Sequence, residues 1–181
     1  MKKQREGKMS EIVHKGKWLT TLRRKTKTGH WEYVERNNQN AAVVMIAVTP
    51  ENEIVLIKQL RQTFNKTVVE FPAGLIDEGE TPEQTAIREL KEETGCTGSV
   101  LSVSPPVASS SGLTTEMLYL VKMLVTDTDG KQRLDDEEKI DWELWPIDDT
   151  ILLRLEADAK ENDYILSSRL YAYFMGLNSK I

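Results

Sequence analysis

The chain has 181 residues, 39% of them hydrophobic and 29% charged, which describes one ordinary globular domain with a real core and room for an appendage. Its 24 basic residues against 29 acidic give a net charge of -5, which argues against a nucleic-acid polymer as the main partner. A single cysteine excludes an internal disulfide, and the basic start MKKQREGK has no apolar stretch behind it, so no signal peptide is expected and the expected location is the cytoplasm.

Residues 12–24, IVHKGKWLTTLRR, and 30–36, HWEYVER, alternate in polarity around a Lys27, Thr28, Gly29 turn and predict a β-hairpin or meander. A two-stranded ribbon is marginal in water, so it must dock on its own domain or on another subunit. Asn37 to Asn40 form a polar linker, dividing the chain into a β subdomain over 1–38 and a main domain over 41–181. The eight-residue run 41–48 is the longest apolar stretch, too short to cross a bilayer, and predicts a buried strand. Strands are also predicted over 53–60, 67–71, 100–103, 118–125 and 142–145, with a polar loop at 105–116. Helical patterns cover 149–160 and 167–177; in the second, Leu170, Tyr171, Phe174 and Leu177 have the spacing of core packing. Scattered strands with a central helix and C-terminal helices indicate an α/β sandwich on a mixed sheet.

The central helix is the best specified. Thr81 can cap it, Pro82 suits its first position, Gln84 closes a capping box and Gly95 stops it. Ala86, Ile87, Leu90 and Thr94 share one side, while Thr85, Glu89, Glu92 and Glu93 gather on the other. Three adjacent carboxylates repel one another, so a positive charge belongs there; oxygen-only ligands suit Mg²⁺ or Mn²⁺. Arg88, four residues before Glu92, can hold that carboxylate in one rotamer. A solvated Glu-rich face is the alternative, but such a face has no need of the FPAGLIDEGE loop in front of it.

The stretch from Gly74 to Cys96 resembles the Nudix box, G-x5-E-x7-R-E-U-x-E-E-x-G-U with U aliphatic; only Cys96 is unusual, and it should act as a small hydrophobe. The resemblance implies an α/β/α sandwich with a mixed sheet and metal-dependent hydrolysis of a nucleoside diphosphate linked to another group. Over roughly residues 16–177 the tryptophan-bearing hairpin, VLIKQLRQTF, EFPAGLIDEGE, the SSGLTTE loop and SSRLYAYFMGL are similar to the ADP-sugar (ADP-ribose) pyrophosphatases of that family. That similarity implies a homodimer with the β subdomain exchanged and two aromatic rings clamping adenine, placed here on Trp18 and Trp31; both rings could instead staple the hairpin to its domain.

Carried over residue by residue, Arg36 and Arg61 face the diphosphate, Glu32 orders contacts with the neighbouring subunit, and Gly112 and Leu113 contact substrate. Either arginine could instead be a rim charge. Glu89 and Glu93 are the principal metal ligands, with the Ala73 carbonyl available and Glu92 either a further ligand or a group acting through Arg88. Glu80 anchors the loop or coordinates through water. The general base comes from the acidic segment LDDEEKIDWELWP, where Glu138 is selected and Glu137 is the alternative. Ser111 stands where the subgroup carries a proline, and Glu116 completes its S-P-G-x-x-x-E pattern. A looser loop could admit GDP-mannose or other nucleoside diphosphate sugars. A non-catalytic nucleotide-sugar sensor, an RNA-directed hydrolase and a hydrolase of oxidised triphosphates are the rivals; the intact box, the acidic balance and the paired tryptophans argue against them in turn.

Overall fold

The computed structural model describes residues 10–39, 41–134 and 138–178. Three strands, β1 (Glu11–Lys15), β2 (Leu19–Thr26) and β3 (Gly29–Arg36), form a separate antiparallel sheet in the order β1-β2-β3. The predicted run 12–24 is therefore two strands, because Gly16 turns the chain with its N–H on the Leu19 carbonyl. The sheet docks on its own chain: Val34 N–H donates to the Leu113 carbonyl at 2.9 Å, and Tyr33 is buried.

The main sheet takes β4 (Ala41–Val48), β5 (Glu53–Arg61), β6 (Lys66–Glu70), β7 (Ala73–Leu75), β8 (Thr97–Val103), β9 (Val107–Ala108), β10 (Met117–Asp127), β11 (Ile140–Pro146) and β12 (Ile165–Leu166). Its central path runs β12-β6-β5-β4-β10-β8, and the β10/β4 and β12/β6 pairs are parallel while the others are antiparallel. The sheet is mixed, as expected. The three short strands β7, β9 and β12 were not predicted; each is two or three residues long, too short to show a period.

Helix α1 (Pro82–Thr94) covers one face, and α2 (Ile151–Glu161) with α3 (Ser168–Asn178) covers the other. The pleat of β4 serves both: Val44 and Ile46 face Leu155, Leu170 and Phe174, while Val43 and Met45 face Ala86, Leu90 and Cys96. Cys96 is fully buried and packs as the expected small hydrophobe. Of the four α3 positions expected in the core, Leu170 and Phe174 are buried and Tyr171 and Leu177 are exposed; Tyr173, partly buried, packs edge-on against Phe71 beside Phe174 and helps seat the helix on β6. Among the described residues, no helix is long and apolar enough to cross a membrane.

Candidate active site

Helix α1 begins and ends where its sequence predicts. Thr81 accepts from the Gln84 N–H, the Gln84 side chain accepts from the Thr81 N–H at 2.9 Å, Pro82 opens the helix, and Gly95 closes it in the left-handed region at φ 77°. The side assignments differ from expectation at three positions. Ile87 is 47% exposed, while Thr85 is fully buried and Glu93 only 6% exposed, because the helix rolls its acidic edge onto the β7 strap. The Ala73 N–H donates to Glu93 Oε2 at 3.0 Å, which fixes this carboxylate against the β7 strap.

Arg88 organises the other acids. Its Nε and Nη2 meet the two Glu80 oxygens at 2.9 and 2.8 Å, and its Nη1 reaches Glu89 at 2.8 Å and Glu92 at 2.9 Å. Glu80 also accepts from the Thr85 hydroxyl at 2.7 Å, which ties the loop to the first turns of α1. The Arg88 bond and then the Thr85 bond hold the Glu80 carboxyl down to about 2. Burial and then the Glu89 charge push Glu93 up to about 8, against the pull of the Ala73 amide. Burial also raises Glu89, opposed by Arg88 and reinforced by the Glu92 and Glu138 charges.

Glu89, Glu92, Glu93, Ala73, Arg88 and Glu138 line one cleft of about 530 Å³, a volume within the roughly 300–1,000 Å³ range of small-molecule sites. Arg36 and Arg61 line it as well, each bonded through Nε to a glutamate: Arg36 to Glu116 at 2.7 Å and Arg61 to Glu70 at 2.6 Å. Partial burial works against the Glu116 carboxylate, but the Arg36 bond and a Ser109 bond outweigh it and keep its pKa below the usual value. Gln132 Nε2 donates to the carbonyls of Glu93 and Ile140, joining the end of α1 to the strand that follows Glu138. Glu137, the alternative base, lies outside the described residues.

Other expected residues lie elsewhere. Glu32 pairs with Arg23 across the β2/β3 ribbon at 2.8 Å and faces solvent, and Trp18 is 63% exposed with Lys17 Nζ over its ring. Trp18 precedes β2 opposite Asn37, whereas Trp31 lies opposite Arg24, so the two rings of one chain stand at different ends of the ribbon. Trp31 donates to the Gly112 carbonyl at 3.2 Å and lines a smaller recess of about 240 Å³ with Tyr33, Ser111 and Thr114. Leu113 is exposed and contributes its carbonyl to Val34. Glu70, Arg133 and Arg169 were not singled out beforehand; a glutamate closing the strand TVVE was a signal, since a buried acid demands a partner, but nothing local marked the two arginines.

The donor set suits a divalent cation of the Mg²⁺ class. It is all oxygen, it includes in Glu93 a buried carboxylate that as an anion requires a positive neighbour, and Gly74 lets the Glu89 carboxyl lie against the loop beside it: a Cβ on Gly74 would lie 1.9 Å from Glu89 Cδ. Among the described residues no three acidic, histidine or cysteine side chains converge as a ready cluster, because Glu89 and Glu92 both turn to Arg88.

Comparison with known proteins agrees with this geometry. The NUDIX domain profile matches residues 38–168. The ADP-sugar pyrophosphatase of Mus musculus is 36% identical over 191 aligned residues, covering 94% of this chain and 87% of that protein. The ADP-ribose pyrophosphatase of Bacillus subtilis is 38% identical over 101 residues, 55% of each chain. A crystal structure of an ADP compounds hydrolase superposes with a TM-score of 0.68 at 19% identity over 93% of this chain and 89% of that one, which shows the shared fold. With profile, relatives and fold in agreement over most of its length, the chain belongs to the NUDIX domain family and is a Nudix hydrolase.

Proposed function

We propose that the protein hydrolyses the diphosphate bond of nucleoside diphosphate sugars, ADP-ribose favoured, to a nucleoside monophosphate and a sugar phosphate, with Mg²⁺ or Mn²⁺ as cofactor. The observation that carries this is the pairing, in one cleft, of an acidic wall on α1 with two arginine forks on β3 and β5. The names of the mouse and Bacillus relatives point to the same substrate class.

Glu89 and Glu93 would hold the metal, with Glu92 beside them and the bend at Ala73 within the same cleft. Bound there, a divalent cation supplies positive charge to phosphoryl oxygens and lowers the pKa of water. Arg36 and Arg61 bind the phosphoryl groups, since a guanidinium tip can give two N–H bonds to one phosphate. Arg88 fixes the rotamers of Glu89 and Glu92, and through Glu80 it fixes the loop before the helix. Glu138, on the cleft wall and close enough for its charge to act on Glu89 and Glu93, accepts the proton of the attacking water. Trp31, beside Gly112, is a platform for the base, and Trp18 completes the clamp from a partner subunit with Glu32 at that contact. The same reading divides the chain into a β subdomain over 1–38 and a hydrolase domain over 41–181.

Ser111 borders the recess beside Trp31, which favours a second reading, a broader nucleoside diphosphate sugar diphosphatase that accepts GDP-mannose. A panel of ADP-ribose, GDP-mannose, UDP-glucose and dinucleoside polyphosphates, assayed for phosphate after phosphatase coupling, tests both. ADP-ribose is expected to give the highest kcat/KM; comparable values for GDP-mannose would establish the broader reading, and turnover of none would remove the proposal.

A further inference from the structure

Resting on the diphosphate reading above, we propose that Glu70 and Glu116 are positioning residues for substrate: each grips one cleft arginine by its Nε, so that both Nη groups at the tip stay free for a phosphoryl group. The same arrangement occurs twice, from unrelated parts of the chain. Arg61, ending β5, gives Nε to Glu70 at the end of β6, and Arg36, ending β3, gives Nε to Glu116 just before β10. Among the described residues, no acceptor takes an Nη of either arginine.

The two halves of each pair differ in depth. The Glu70 and Glu116 side chains are 9% and 16% exposed, while those of Arg61 and Arg36 are 38% and 44% exposed. The acid is the anchored end and the guanidinium is the end that projects into the cleft. A guanidinium has five N–H groups in a rigid plane; with Nε engaged, the remaining four lie on the two Nη atoms, whose outer edge matches two phosphoryl oxygens. A flexible arginine would lose rotamer freedom on binding, whereas one already gripped at Nε has lost most of it. Half-exposed ion pairs add little to stability, so stability alone does not account for burying a glutamate beneath each cleft arginine. One gripped fork for each phosphoryl group is what a diphosphate needs, and this makes Glu70 and Glu116 determinants of diphosphate affinity rather than of the chemical step.

Two double-mutant cycles test this: Glu116→Gln with Arg36→Ala, and Glu70→Gln with Arg61→Ala. Steady-state kinetics on ADP-ribose with Mg²⁺ should show each Glu→Gln change raising KM about tenfold while kcat stays within about twofold. Added to its arginine variant, the same change should have no further effect, because it acts only through that arginine. Glu116→Asp should recover part of the loss. An unchanged KM, or effects that multiply within a pair, would overturn the proposal. Calorimetric binding of ADP-ribose in EDTA separates this proposal from the reading it rests on. Binding that shows the coupling in a protein that turns over no diphosphate leaves the positioning role standing and removes the hydrolytic one. No binding by the wild type removes both. If thermal melting shows Glu70→Gln to be unfolded, the Arg36 and Glu116 cycle decides.

Discussion

Gly74 is where a missing side chain matters most, because the Glu89 carboxyl occupies the place its Cβ would take, 1.9 Å from Glu89 Cδ. Gly74→Ala is expected to displace that carboxylate and lower kcat/KM about 100-fold while leaving the circular dichroism spectrum unchanged, since a displacement near 1 Å at a reacting centre costs about that much. Glu93 is the other decisive residue of this pair, buried and held by the Ala73 amide. Glu93→Gln keeps the shape and removes the charge, and metal-dependent release of AMP from ADP-ribose should fall by at least about 100-fold. Retained turnover would take away its place in the metal site. The chemical identity of these residues was legible in the spacing of Gly74, Glu89 and Glu93; grouping Glu93 with Glu89 and Glu92 missed its burial, because three residues after Leu90 and seven after Ala86 it lies at the edge of the buried face, where the β7 strap covers it.

At the scale of the element, α1 is held to its preceding loop by the two bonds between Glu80 and Arg88. The Glu80 carboxyl in the folded protein sits at about 2, below its ordinary 4.5, so its contribution to stability is full above pH 4.5 and is lost as pH falls toward 2. Glu80→Gln should therefore destabilise the protein at neutral pH, with the difference from wild type shrinking to nothing near the bottom of that window; urea unfolding at a series of pH values measures it. Thr81→Ala removes the reciprocal cap and should cost about 1 kcal/mol in the same measurement. Both ends of this helix were readable because capping is local chemistry, complete within four residues. The short strands β7, β9 and β12 were not, because two or three residues become a strand only when a long partner such as β4, β10 or β6 lies beside them.

For the whole molecule, the three-stranded ribbon poses the main question. It docks on the loop at Gly112 and Leu113 yet leaves Ile12, Val13, Trp18 and Leu19 exposed, an apolar surface on an element with little core of its own. Light scattering at micromolar concentration is expected to give the mass of a dimer; a monomer would contradict the exchanged-subdomain arrangement. If Trp31 stacks on the base as proposed, Trp31→Ala will raise KM for ADP-ribose more than it lowers kcat; an unchanged KM would argue against stacking.

The amino-acid sequence by itself determined the helix that carries the acids, its caps, the identity of the acidic and basic groups, and the mixed sandwich around them, because those features are written in spacings of a few residues. Apart from Arg88 with Glu92, one helical turn away, tertiary structure decided which charges meet. Arg36 and Glu116 are 80 residues apart along the chain, and their bond exists only because β3 docks through Val34 on the loop at Leu113 and Thr114 that leads into β10, a proximity that chain folding creates and no local period encodes.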